Sequence, residues 1–130
     1  MRTILVVDDE KAMRGVVCAS LESKGYRVAA ASNMTEGLQI SRSQLPDLII
    51  SDVIMNNGDG YQLLTALRHE ESTANIPFIF MTGDSSGPSL VLGRQLSADA
   101  LLIKPFALQT LFDTVEIVFR KKDLLPQLSK

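Results

Sequence analysis

At 130 residues the chain has the length of one ordinary domain, long enough to bury a core without help from a metal or disulfide. Its 45% hydrophobic and 22% charged content excludes a disordered or collagen-like chain, and 13 basic against 15 acidic residues exclude a global basic field for nucleic acid. The single cysteine, Cys18, excludes an internal disulfide and a multi-cysteine metal site, and no apolar run approaches the roughly 18 residues of a membrane span. The apolar stretch after Arg2 is too short for a signal peptide. The expectation is a soluble, cytoplasmic single domain that binds neither membrane nor nucleic acid directly.

In chain order, Ile4-Leu5-Val6-Val7 is the first short run that is apolar on both faces, as a parallel strand covered by helices must be. Met13, Val17 and Leu21 then repeat every fourth residue and stop at Gly25, which reads as a helix. Tyr26 to Ala31 is a weaker strand, broken by Arg27, and suits a sheet edge. Asn33 with Glu36 has the spacing of an N-cap and capping box for the second helix. Leu48-Ile49-Ile50 is the third strand. Gly60, Leu63, Leu64 and Leu67 share a helical face, and Phe78-Ile79-Phe80-Met81 is the fourth strand. Gly87-Pro88 opens a less regular helix around Leu90 to Leu96, and Leu101-Leu102-Ile103 is the last strand. Leu108, Leu111, Phe112, Val115 and Phe119 form the stripe of a final helix.

This βαβαβαβαβα alternation predicts an α/β fold, a five-stranded parallel sheet with helices on both faces. The flavodoxin-like strand order 2-1-3-4-5 places the weakest strand on an edge. Residues 1–122 read as the domain. Residues 123–130, which include Pro126, read as a loose C-terminal tail.

In such a sheet the ligand site lies past the carboxyl ends of the strands. Those ends carry Asp8, Asp9 and Glu10, then Asp52, then Thr82, then Lys104. Polar residues commonly end strands, and any one of these alone would mean little. Together they put several carboxylates on one rim, and two carboxylates about 5 Å apart repel by about 3 kcal/mol at an effective dielectric near 20. A hard divalent cation relieves that cost, and an oxygen-only donor set points to Mg²⁺ rather than zinc. A hydroxyl and an ammonium beside it suit an anionic ligand. The whole set is what phosphoryl transfer requires, with Asp52 as nucleophile becoming an aspartyl phosphate.

The run Val6-Val7-Asp8-Asp9-Glu10, then Asp52-Val53-Ile54-Met55 leading to Asp59-Gly60, then Thr82-Gly83, then Lys104-Pro105-Phe106 resembles the receiver domain of two-component response regulators. The resemblance covers about residues 2 to 122. It implies that Asp52 accepts a phosphoryl group from a phosphohistidine on a histidine kinase or phosphotransfer protein. It implies that Asp9, Asp52 and the backbone carbonyl of Ile54 hold Mg²⁺, with Asp8 acting through water. Thr82 and Lys104 would bind phosphoryl oxygens, and the Lys104-Pro105 peptide would be cis. Such a domain is not an enzyme beyond its own phosphorylation and dephosphorylation. Its output would pass to a downstream protein or domain, or to a phosphorylation-dependent dimer, through the face of the fourth helix, fifth strand and fifth helix. The chain departs from the family at Asn56, usually proline, and at Leu101, usually aromatic. Ile54 and Asp84 stand where members vary and tune the lifetime of the phosphoryl group.

Three other readings fit the residues less well. A haloacid-dehalogenase-like phosphohydrolase needs an aspartate two residues after the nucleophile, where this chain has Ile54. A flavodoxin needs a hydroxyl- and glycine-rich phosphate loop after the first strand, where Asp8-Asp9-Glu10 would repel a phosphate. A degenerate receiver serving only as a binding module would have lost part of the chemical set, and every member is present. His69 reads as solvated, Cys18 as a small packed residue, and residues 56–60 as a turn leading into a helix. Arg120, Lys121 and Lys122 read as complementing the end of the last helix.

Overall fold

The computed structural model describes residues 1–55, 58–83 and 98–128. Five parallel strands form the sheet: β1 (Thr3–Val7), β2 (Arg27–Ala31), β3 (Leu48–Asp52), β4 (Phe78–Thr82) and β5 (Ala100–Ile103). Their spatial order is β2-β1-β3-β4-β5, the order expected from the alternation of elements. The helices described are α1 (Lys11–Ser23), α2 (Met34–Gln44), α3 (Gly60–Arg68) and the C-terminal α4 (Leu108–Leu128). The helix expected around Leu90 to Leu96 lies outside the described residues, as do Asn56 and Asp84.

Successive side chains of a strand point to opposite faces, so each two-faced apolar run feeds two cores. Ile4 and Val6, Leu48 and Ile50, and Ile79 and Met81 pack with Val17 and Leu21 of α1 and with Leu111, Val115 and Phe119 of α4. The alternate residues, Leu5 and Val7, Ile49, and Phe78 and Phe80, pack with Leu63, Leu64 and Leu67 of α3 and with Leu38 of α2. All five residues of β4 are buried, whereas β2 is half exposed, as its Arg27 foretold.

Local chemistry sets the helix ends. Asn33 accepts the Glu36 N–H at 2.8 Å, but Glu36 takes a hydrogen bond from Ser32, so only the first half of the expected capping box forms. A complete box lies at α3 instead. Asp59 accepts from the Gln62 N–H at 2.8 Å and its own N–H donates to Gln62 Oε1 at 2.9 Å. Just before it, Ile54–Met55 and Gly58–Asp59 pair as a short antiparallel ribbon absent from the sequence reading.

The helical backbone continues to Leu128, into the residues that the sequence reads as a C-terminal tail. Asp123 explains part of this, pairing with Arg2 at 2.6 Å while the Arg2 guanidinium covers the Phe119 ring. Lys122 donates to the carbonyl of Asn75 at 2.7 Å. The basic run 120–122 therefore lies inside the helix rather than at its end.

Gly60 is where the fold admits no side chain. Its N–H donates to the Val53 carbonyl at 2.7 Å, and a Cβ there would run into the backbone carbonyl of Asp52 and meet the Phe80 ring at 3.0 Å. Gly15, within α1, has open space where its Cβ would stand. Gly60→Ala is expected to destabilise the fold by about 3 kcal/mol through overpacking against backbone. Gly15→Ala is expected to stabilise it by roughly 0.5–1 kcal/mol through helix propensity. Urea unfolding reads both, and equal midpoints for Gly60→Ala and wild type would refute the close approach.

Candidate functional site

Four neighbouring strands, β1, β3, β4 and β5, end on the same rim. Asp8 follows β1 and is fully buried. Its N–H donates to the Ala31 carbonyl, and its Oδ1 accepts the Glu10 N–H at 2.9 Å, forming the turn that leads into α1. Asp52 closes β3 with its side chain 14% exposed, and its Oδ1 accepts the Val53 N–H at 3.0 Å. Thr82 closes β4 and is buried. Lys104 follows β5, anchored by its N–H on the Thr82 carbonyl at 2.7 Å and by a cis peptide to Pro105.

Lys104 does not stay over its own strand. Its side chain runs back across the end of β4 and sets Nζ 3.2 Å from Asp52 Oδ2 and 3.5 Å from Asp8 Oδ2. Asp8, Asp9 and Asp52 each offer an oxygen within 4.8 Å of the others. The rim therefore brings together Asp8, Asp9, Asp52 and Lys104, with Thr82 on the strand end between Asp52 and Lys104. Ile54 lies beside them in the ribbon, paired with Asp59, its side chain 73% exposed.

Three carboxylates and the Lys104 ammonium share this rim, and burial and charge act on Asp52 and Lys104 together. Burial pushes the Asp52 carboxyl above its ordinary value; Lys104 opposes this, and Asp8 adds to it. Burial also disfavours the charged Lys104, but the attraction of Asp52 and Asp8 outweighs it and holds the ammonium above its ordinary value. The two shifts are consistent. Lys104 stays charged and is shared between Asp52 and Asp8. Hard oxygen donors at the ends of two neighbouring strands, close enough to share one ion, fit Mg²⁺.

Other titratable groups stay bland. His69 is exposed at the end of α3. Burial, then the Glu22 carboxylate, pushes the Cys18 thiol up, so it remains a protonated packing group. Leu101 is partly buried against the α2–α3 core. One polar residue escaped the sequence reading. Arg14 of α1 donates from Nη1 to the carbonyl of Asp8 at 2.8 Å. Its only signal was a cation one turn into the helix that follows the acidic run.

Comparison with known proteins bears on this geometry. The model for the response regulator receiver domain matches residues 4–116. The DNA-binding dual master transcriptional regulator RpaA of Synechocystis sp. is 32% identical over 130 residues, 100% of this chain and 54% of that protein. Response regulator Rre1 of the same organism is 39% identical over 105 residues, 80% of this chain and 46% of that protein. The chain thus spans about half the length of these curated relatives. The crystal structure of the chemotaxis protein CheY4 of Vibrio cholerae superposes with a TM-score of 0.87 at 31% identity, covering 91% of this chain and 98% of that one. The acidic rim, the lysine that bridges it and the doubly covered sheet thus belong together, and the chain belongs to the response regulator receiver domain family of two-component signalling.

Proposed function

We propose that residues 1–122 act as a phosphorylatable receiver, with Asp52 accepting a phosphoryl group from a phosphohistidine on a histidine kinase or phosphotransfer protein. The observation that carries this reading is Asp52 at a strand end, grouped with the carboxylates of Asp8 and Asp9 and in contact with the ammonium of Lys104. An Asp52 oxygen attacks phosphorus and forms the P–O bond. The P–N bond breaks, and its electron pair leaves on the imidazole nitrogen, which takes up a proton. Asp9, Asp52 and the Ile54 carbonyl would hold Mg²⁺, with Asp8 acting through water; bound there, the ion offsets the repulsion between phosphoryl oxygens and carboxylates.

The chain's own groups supply the rest. Lys104 leaves its carboxylate partners for one phosphoryl oxygen, and the Thr82 hydroxyl donates to another. Losing Lys104 frees the carboxylates and shifts the end of β5, which is how loading at Asp52 reaches a protein-interaction surface. Output passes to a downstream protein or domain, or to a phosphorylation-dependent dimer. No described helix is long and apolar enough to cross a membrane, and a cytoplasmic setting is the one proposed. The domain turns over nothing but its own phosphoryl group.

Intact mass after treatment with acetyl phosphate and Mg²⁺ tests the reading. A one-phosphoryl gain is expected in wild type and none in Asp52→Asn; equal loading of both would defeat the assignment. The cation is tested by melting. Mg²⁺ at a hundredfold excess over its dissociation constant is expected to stabilise wild type by about 2.7 kcal/mol. Asp9→Asn should raise the metal-free melting point and blunt the Mg²⁺ response. Equal wild-type melting points with and without millimolar Mg²⁺ would count against a metal site.

Ile54 bears on lifetime. A polar side chain two residues after the phosphoacceptor can hold a water for in-line attack, whereas an exposed branched apolar one excludes it. The expectation is slow self-dephosphorylation, accelerated in Ile54→Asn and Ile54→Ala. Phosphate loss timed after removal of acetyl phosphate reads this, and unchanged rates in both variants would exclude position 54 as the water gate.

A further inference from the structure

We propose that Arg14 is a positioning residue for the cation-binding carboxylates, acting through the backbone of Asp8. This deepens the metal-binding part of the proposed function and rests on it. The ladder of β1 ends at Val7, which pairs with Ala31 on one side and Ser51 on the other. Beyond it the chain must turn into α1 while presenting two adjacent carboxylates. Three groups of Asp8 are fixed by near neighbours or by the site itself. Its N–H donates to the Ala31 carbonyl, its Oδ1 accepts from Glu10 and its Oδ2 faces Lys104.

Its carbonyl is held differently, by the Arg14 guanidinium reaching back from the helix at 2.8 Å. The Arg14 N–H meanwhile donates to the Glu10 carbonyl at 2.9 Å, within the first turn of α1. Arg14 therefore straps the start of α1 to the end of β1 across the turn that carries Asp9. The carbonyl it grips belongs to the peptide joining Asp8 to Asp9. Fixing that peptide plane holds the Asp9 N–Cα bond, and the first turn of α1 limits rotation about it, so the direction in which the Asp9 side chain leaves the backbone is constrained. Asp9 is thereby aimed at the same point as Asp8 and Asp52, the arrangement in which their oxygens lie within 4.8 Å. Groups that orient metal ligands without touching the metal commonly matter about tenfold or more to affinity. A guanidinium suits the task because its planar fork is pre-organised, so less freedom is lost per hydrogen bond than with an ammonium.

Charge and positioning make opposite forecasts. Arg14 is a cation near a cation site, so its charge alone opposes Mg²⁺ and its removal would tighten binding. Positioning requires that removal weaken it. The test is Mg²⁺ affinity of the unphosphorylated full chain, read by calorimetric titration in wild type, Arg14→Met and Arg14→Lys, beside metal-free unfolding of each. Arg14→Met is expected to bind Mg²⁺ about tenfold more weakly. Arg14→Lys, whose ammonium can still donate to the Asp8 carbonyl but without the pre-organised fork, is expected to fall between the two. Equal or tighter binding by Arg14→Met, whatever its metal-free stability, would overturn the positioning role while leaving the metal site intact. Failure of wild type itself to bind Mg²⁺ would instead remove the metal reading, and this inference with it.

Discussion

The half-buried contact of Lys104 with Asp52 and Asp8 is the interaction on which the rest of the site depends. The Lys104 ammonium, its side chain 18% exposed, neutralises part of a cluster that holds three carboxylates. Without it Asp8, wholly buried, would lose its cationic partner, a situation that costs several kcal/mol. With it, the cluster is tolerable, although burial still holds the Asp52 carboxyl above its ordinary value. Three carboxylate oxygens within 4.8 Å of one another make the rim receptive to a cation. It also makes Lys104 a group that can be drawn away once a stronger anion arrives.

Such a site requires strand ends that do not drift, and the opposite edge of the sheet supplies the anchorage. The Thr3 N–H donates to Asp47 Oδ2 at 2.8 Å, and the Phe78 N–H donates to Asp99 Oδ2 at 2.8 Å. Arg68 stands 3.7 Å from the same Asp99 and donates to the Ile76 carbonyl. Arg2 with Asp123 and Lys122 with Asn75 tie α4 to this base. Register is thus locked at the amino ends of the strands by polar contacts and along their length by two apolar cores. The carboxyl ends are left to carry charge that contributes nothing to packing.

Much of this was legible in the residues because strand burial and strand chemistry leave different marks. Runs such as Ile4 to Val7 and Phe78 to Met81 are short and apolar on both faces, as doubly covered strands must be, and Arg27 suited an edge. The first polar residue after each strand then named the rim. What escaped were features decided by tertiary contact. The ribbon at Ile54–Met55 and Gly58–Asp59 consists of two-residue strands too short to show a period. The complete capping box formed at Asp59 and Gln62 rather than at Asn33, because Ser32 competes for the Glu36 carboxylate. Leu45 ends α2 in the left-handed region at φ 47°, a place where glycine would have been the expected signal. Pro126 suggested a loose end, yet the helix runs past it, since Arg2 and Asn75 hold the preceding turn from far along the chain. Arg14 was overlooked for the same reason, because its partner is a backbone carbonyl that no side-chain pattern advertises.

The central claim is that Lys104 exchanges its carboxylate partners for an anion bonded at Asp52. The most direct measurement is a crystal structure of the chain with Mg²⁺ and beryllium trifluoride, a mimic of the phosphoryl group. The fluoride group is expected on an Asp52 oxygen, the cation against Asp9 and Asp52, and Lys104 Nζ moved from Asp8 and Asp52 onto a fluorine. Lys104 still bridging Asp8 and Asp52, with the fluoride group seated on Asp52 or bound elsewhere, would contradict it.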